Sequence, residues 1–326
     1  MDFRVDEDQE ALRDGIRSFC EGRFGLDQLG ALATQGLDRG AWRALAEMGV
    51  FQLRLPEAQG GLALGMAEAV LVFAELGRRL VPGPLVWSHL AAELVPGAAS
   101  GEIVVGGLDR MLPSSEPLLV ESLSDLDALL VLRPEGIERF DPRALRSEPV
   151  ATPLDPLTPL HVVSELGEGE RIAGPAVAQR WRLEGAALVA AQLFGIAEAT
   201  QELATAYAKT REQFGRPIGS FQAIKHILAD TFVRQELARA AAYAAGATLD
   251  HPEVGDPSRA VSSAKVVTGD AALSNSRACI QVHGGMGYTW EMPCHYYLKR
   301  TWVLAGLFGS GEEHSEQLAR HVAAAL

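Results

Sequence analysis

From about residue 179 to the C-terminus the sequence carries helical periodicity almost without interruption. Residues 183–211 form one long stretch in which Leu188, Ala191, Gly195, Ala199, Leu203, Ala206 and Tyr207 approximate a single face. Apolar recurrence every three or four residues is the pattern of a helix that buries one side. Most of these residues are small, so neighbouring helices can approach closely. FGRPIG at 214–219 ends the stretch, and a second long helix follows with Phe221, Ile224, Leu228 and Phe232 at helical spacing. HPEVGDP at 251–257 is the next break. A third helix spans 260–282 and stops at the glycine cluster His283-Gly284-Gly285-Met286-Gly287; a fourth covers about 292–304. After FGSG at 308–311 a short helix closes the chain. The pattern predicts an antiparallel four-helix bundle over 179–326.

Residues 1–100 also read as helices. Ala11, Leu12, Ile16 and Phe19 share one face of a first helix. Trp42, Leu45, Ala46 and Phe51 mark a second that ends near Gly49, and a third runs over 66–80 before VPGP at 81–84 breaks it. A further helix follows to about Glu93. Residues 101–178 differ: short apolar or β-branched runs at 103–105, 118–120 and 128–132 are separated by Gly, Pro, Asp and Ser. This predicts a reduced β domain. The expected class is therefore mainly α, with a small β middle domain between two helical regions.

Composition narrows the function classes. With 42 acidic against 29 basic residues and a net charge of −13, the chain repels a phosphate backbone, so nucleic acid is not the expected partner. The same charge permits an anionic small ligand, because one arginine and a helix N-terminus hold a phosphate locally. Cys20, Cys279 and Cys294 are an odd, sparse set without CxxC spacing, which argues against a disulfide framework or a structural zinc site. No metal site is expected. The acidic N-terminus lacks the apolar region of a signal peptide. No uncharged apolar run approaches the ~20 residues that span a bilayer. A cytoplasmic location is the expectation.

Two segments carry the chemistry. In Arg211-Glu212-Gln213-Phe214-Gly215-Arg216-Pro217-Ile218-Gly219-Ser220-Phe221-Gln222, an arginine stands at a helix C-terminus. It either offsets the helix dipole or presents a guanidinium to an anion. In Gln281-Val282-His283-Gly284-Gly285-Met286-Gly287-Tyr288, glycines follow a helix. They either make a C-terminal turn or let a ligand reach bare backbone.

Taken together and in this order, RxxFGxxIxxxQ followed by QxxGGxGY resembles the C-terminal domain of the acyl-CoA dehydrogenases. The opening WRALAEMGVFQLRLPEAQGGLALGMAEAVLVFAELGR is similar to that family's first helices. The resemblance covers about 1–100 and 180–326 and only loosely the middle. It implies FAD as cofactor and an acyl-CoA thioester as substrate, dehydrogenated at the α,β bond. A glutamate takes the α proton and flavin N5 takes the β hydride. It also implies that Arg211, Gln213, Phe214 and Gln222 hold the FAD of one subunit, and that Gln281, Val282, His283, Gly284 and Gly285 reach it from a neighbour. Glu313 falls where some relatives contact FAD, although Glu312 and Glu313 also suit a helix N-terminus electrostatically. His283 is either a local contact or a packed turn residue.

Two departures from the family pattern shape the functional expectation. The usual catalytic glutamate stands in a Tyr-Glu-Gly-Thr type of stretch; here that stretch is Phe308-Gly309-Ser310-Gly311, so Gly309 replaces the base. Relatives that carry the glutamate on the first long bundle helix place it at Gly185, and the adjacent Glu184 is turned away by about 100°. In the middle domain only Ser115-Glu116-Pro117 and Ser147-Glu148-Pro149 echo the family's Thr-Glu-Pro motif, and neither continues into Gly-Ser-Asp. The chain is thus most similar to the shortened subunits of heterotetrameric acyl-CoA dehydrogenases of actinobacterial steroid catabolism. There a fuller subunit supplies the flavin ring pocket and the base, and an electron-transferring flavoprotein is the family's acceptor. The other readings are an autonomous homo-oligomer using Glu184, and a flavin-free scaffold or acyl-CoA-binding subunit.

Overall fold

The computed structural model describes residues 5–112 and 117–324. Five helices open the chain: α1 (Glu7–Arg23), α2 (Leu29–Gln35), α3 (Arg39–Glu47), α4 (Met66–Arg78) and α5 (Leu85–Ala91). Asp6 starts α1 with a capping box, accepting from Gln9 N at 2.8 Å while Gln9 Oε1 accepts from Asp6 N at 3.2 Å. The second predicted helix ends at Glu47, so Phe51 lies beyond it. Phe51 is nonetheless buried, its ring 4.7 Å from Trp42. The seven-residue α2 has no counterpart in the sequence reading, because it is too short to show a period.

Seven short strands follow: β1 (Val105–Asp109), β2 (Leu118–Glu121), β3 (Ala128–Arg133), β4 (Gly136–Phe140), β5 (Ser147–Pro149), β6 (Leu160–Val163) and β7 (Glu170–Ala173). They form one sheet in the order β1-β3-β4-β7 and a second in the order β2-β6-β5. The β3 run Ala128 to Leu132 is fully buried, which explains its unbroken apolar character. Ser147-Glu148-Pro149 is an edge strand paired with His161 to Val163, not a loop. In the other echo of the Thr-Glu-Pro motif, Ser115 and Glu116 lie outside the described residues. The β domain is tied to the helices by Arg300. Its Nε stands 2.5 Å from buried Asp155, and its other nitrogens donate to Val81 and Leu157 carbonyls at 3.2 Å.

The C-terminal region comprises α6 (Pro175–Thr210), the hairpin β8 (Glu212–Gln213) and β9 (Arg216–Pro217), α7 (Gln222–Asp250), α8 (Pro257–His283), α9 (Cys294–Gly306) and α10 (Gly311–Ala324). α6 begins eight residues before the predicted 183. Pro175 occupies its first turn, where a missing N–H costs nothing, and polar residues mask the period there. α6 is the one described helix long and apolar enough to cross a membrane, yet 89% of its most apolar window is buried by its neighbours. It is the central core helix.

Glycines explain how α4 packs on it. A Cβ at Gly195 would stand 1.9 Å from Ala74 O, and one at Gly77 would stand 2.2 Å from Gln192 O. The two backbones touch because both positions lack a side chain. Asp250, the last residue of α7, then accepts from Met66 N and Ala67 N at 2.8 and 2.9 Å, satisfying the start of α4.

Candidate functional site

The two motif segments lie at one end of the bundle. α6 ends there, α7 starts there and α8 returns to end there. The Tyr207 and His283 rings stack at 4.1 Å, so the last turns of α6 and α8 are in contact within one chain. Arg211 leaves α6 with extended backbone, and its guanidinium has no ion-pair partner among the described residues. The hairpin beyond it turns through Phe214 and Gly215 at φ +53° and +78°. A two-residue hairpin turn with both φ positive matches the twist of its strands, but a phenylalanine adopts it rarely. That ring is 92% exposed. Gln213 and Gln222 are exposed too; Gln213 Nε2 donates to Glu212 O at 2.8 Å. Arg216 lies over the Phe221 ring at 4.2 Å and steadies the base of the hairpin.

From the second segment, Gln281, Gly284 and Gly285 are exposed, whereas the Val282 and His283 side chains are buried. His283 points inward, its Nδ1 donating to Cys279 O at 2.8 Å. Nothing lies within 4 Å of where a Cβ would stand on Gly284 or Gly285. Gly287 does pack closely, 2.7 Å from Ile280 O by the same measure. Within one chain the two segments stand at the same end of the bundle.

These features fit the diphosphate and adenosine part of a dinucleotide. An unpaired guanidinium suits the diphosphate, an exposed aromatic ring offers a stacking face, and the absence of side chains at Gly284 and Gly285 leaves room for close approach, although the Gly284 N–H itself donates to Gln281 O.

The other end is closed. Phe308 and Trp87 rings pack at 4.6 Å, 2% and 4% exposed. A Cβ on Gly185 would stand 2.5 Å from the Phe308 ring. Trp87 also packs on Gly107 of β1, where a Cβ would stand 2.3 Å from the indole. Gly309 has φ +99°, and a Cβ there would meet His314 Nε2 at 2.8 Å. His314 donates from Nε2 to Phe308 O at 3.0 Å and holds Ser262 Oγ at 3.1 Å through Nδ1. Burial lowers the His314 pKa to about 4. Buried Lys265 donates to the carbonyls of Leu304, Ala305 and Leu307, the last at 2.8 Å, and burial lowers it to about 7.

Glu184 is 5% exposed, and its Oε1 accepts from Arg54 at 2.6 Å, with Arg180 at 3.7 Å. α6 is an unbroken α-helix here, so no bulge rotates Glu184 towards Phe308. Arg54 was the residue the sequence did not flag, since nothing in its neighbourhood announces a partner 130 positions away. Glu313 closes a capping box with Ser310: Oε2 accepts from Ser310 N at 2.6 Å, and its N–H donates to Ser310 Oγ at 3.2 Å. Through the His314–Ser262 contact, this turn lies beside the first part of α8. That is roughly 30 Å along the helix from His283, so Glu313 is not gathered with the two motif segments.

The acyl-CoA dehydrogenase C-terminal domain model matches residues 173–323, and the N-terminal domain model matches 6–100. The chain is 31% identical over 334 residues to the acyl-CoA dehydrogenase IpdE2 of Mycobacterium tuberculosis, covering 97% of this chain and 98% of that one. Among solved structures, the Tcur3481-Tcur3483 steroid ACAD G363A variant has a TM-score of 0.83 at 23% identity, with 99% of each chain covered. A chain of the ChsE4-ChsE5 complex from M. tuberculosis also reaches 0.83, at 21% identity and 99% coverage of both chains. The chain belongs to the acyl-CoA dehydrogenase family, whose members are FAD-dependent oxidoreductases. In this chain Arg211, Phe214, Gly284 and Gly285 stand towards one end of the bundle, and Gly309 lies beside Phe308 towards the other.

Proposed function

We propose that this chain is the base-lacking subunit of a hetero-oligomeric acyl-CoA dehydrogenase. It serves an FAD site completed by a fuller subunit. One observation carries the reading: Phe308 and Trp87 fill the space against Gly185 at the end where the base would stand, while the opposite end of the bundle keeps an open set of dinucleotide-binding groups. The likeness to a steroid ACAD and to a two-component complex supports this role and suggests bulky steroid-derived acyl-CoA substrates.

In this reading Arg211 pairs with the FAD diphosphate, and Gly284 and Gly285, which carry no side chain, let the cofactor approach the main chain closely. Gln213, Gln222 and Gln281 read the ribose or adenine edge, and Phe214 covers the nucleotide. Bound FAD supplies the two-electron acceptor of the reaction. The partner subunit supplies the glutamate that removes the α proton, and an electron-transferring flavoprotein reoxidises the enzyme. Glu184, buried and paired through Oε1 with Arg54, fixes α6 to the N-terminal domain instead.

The test is the flavin-to-protein ratio and native mass of the chain alone and after co-expression with a longer acyl-CoA dehydrogenase homologue. The expected result is a colourless chain alone and a yellow, acyl-CoA-oxidising hetero-oligomer together. A yellow homo-oligomer active by itself, or a complex that stays colourless, sinks the proposal; the latter leaves a flavin-free scaffold.

A further inference from the structure

Between α8 and α9, behind the glycine turn, three metal-ligating side chains converge. Cys279 Sγ lies 3.5 Å from Cys294 Sγ and 3.8 Å from His283 Nδ1, and all three ligand atoms fall within 4.8 Å of one another. The residues are buried, both cysteines completely. The surrounding side chains are apolar, among them Ala204, Ala208, Ile280, Met292 and Leu298. Nothing in the local sequence announces this cluster. The cysteines are fifteen residues apart, and only the reversal of the chain through the glycine cluster brings them together.

We propose that Cys279, His283 and Cys294 form a binding site for a thiophilic divalent cation, with zinc the metal its donors suit best. A zinc ion sits ~2.3 Å from thiolate sulfur and ~2.0 Å from imidazole nitrogen. Placed so, it makes an S–Zn–S angle of about 100° and an S–Zn–N angle of about 120° with the sulfur–sulfur and sulfur–nitrogen separations found here. Both lie close to tetrahedral; the third pair, Cys294 Sγ and His283 Nδ1, is within 4.8 Å, and Nδ1 exchanges its contact with Cys279 O for the ion. Charge favours the same ion. Two thiolates and a neutral imidazole cancel its two positive charges, which leaves a neutral group in an apolar pocket. Three protein ligands leave the fourth position open to a small exogenous ligand.

Binding is balanced by release of protons. Each thiol loses one to solvent as its sulfur–zinc bond forms. Nδ1 loses the proton it now gives to Cys279 O, and Nε2 takes one up. The ion would join the last turn of α8 to the first turn of α9 and so clasp both ends of the 284–293 segment. This inference is independent of the FAD reading, because it concerns the structure of that segment whether or not flavin binds.

The experiment uses the full chain, tag removed, purified under reducing conditions without chelator. Elemental analysis is expected to give about one zinc per chain. Replacement by Co2+ is expected to give the intense visible bands and sulfur-to-metal charge transfer of a tetrahedral thiolate site. Cys279→Ser and Cys294→Ser should each abolish stable binding, and Cys20→Ser should leave it intact. Where a variant does not fold, chelation and re-addition of metal to the wild-type chain gives the same answer. Hydrogen exchange across 284–293 should speed up on chelation and recover on re-addition. Metal-free protein that gives no thiolate–Co2+ spectrum on titration overturns the proposal. So does a native chain lighter by two hydrogens that regains them on reduction, since that mass marks a Cys279–Cys294 disulfide.

Discussion

The Phe308 ring occupies the space into which a side chain on Gly185 would project, with only 2.5 Å between a Cβ there and the ring edge. The packing of Phe308 therefore leaves no room for a side chain at Gly185.

Restoring a carboxylate at Gly185 should accordingly fail on steric grounds. Gly185→Glu is expected to give an insoluble or markedly destabilised chain. Phe308→Ala should leave a cavity costing ~3–5 kcal/mol, read by urea denaturation. A Gly185→Glu chain with wild-type stability would contradict the packing described.

Gly309→Glu should also fail to create an autonomous enzyme. A glutamate there must adopt φ near +99° and displace His314, whose Nε2 stands 2.8 Å from the new Cβ. The expected outcome is a lower Tm and no acyl-CoA oxidation by the isolated chain. Turnover by that variant alone, in a dye-reduction assay, would show the site to be more complete than its geometry implies.

Arg211→Ala is expected to lower the flavin content of the co-expressed complex about tenfold or more while the subunits stay associated. Arg211→Lys should recover part of it, because an ammonium keeps the charge but loses the paired geometry. Equal flavin content in all three would remove Arg211 from the binding groups.

Gly195→Ala should separate α6 from α4. A methyl group would stand 1.9 Å from Ala74 O, so the helices must move apart or the backbone distort. A loss of ~1–3 kcal/mol is expected, with a similar loss for Gly77→Ala. The measurement is the denaturation midpoint.

Stability should fall on the acid side through His89 and His314. Burial depresses both to about 4 in the folded chain, against an ordinary 6.5. Between those values the unfolded state holds the extra protons, so stability rises with pH from about 4 to 6.5. It is lost as pH falls through that window, and above 6.5 neither group contributes a slope. His314→Gln should flatten part of this dependence in urea titrations at a series of pH values. An unchanged slope would mean that His314 is protonated in the folded state.

The local sequence was enough for anything that repeats along one helix or is punctuated by a local break. The stretch through Leu188, Gly195 and Leu203, the breaks at FGRPIG and HPEVGDP, and the short strands around Ala128 to Leu132 all express their pattern within a few residues. Arg211 and Gly284 were legible for the same reason, since each stands in a compact motif at a helix end. Helix starts were less so: α6 begins at Pro175, where polar residues hide the period.

What only the tertiary structure decided is which side chains meet across long separations. Arg54 pairs with Glu184, Phe308 fills the space at Gly185, Tyr207 stacks on His283, and Cys279 finds Cys294. None of these residues carries a local mark of its partner. The pairings follow from the directions in which packed helices run, and those are set by burial of whole faces against one another. The sequence by itself therefore determined the long helices, the apolar strand through Ala128 to Leu132 and the two motif segments at the helix ends. The packing decided that one end of the bundle is closed and the other open.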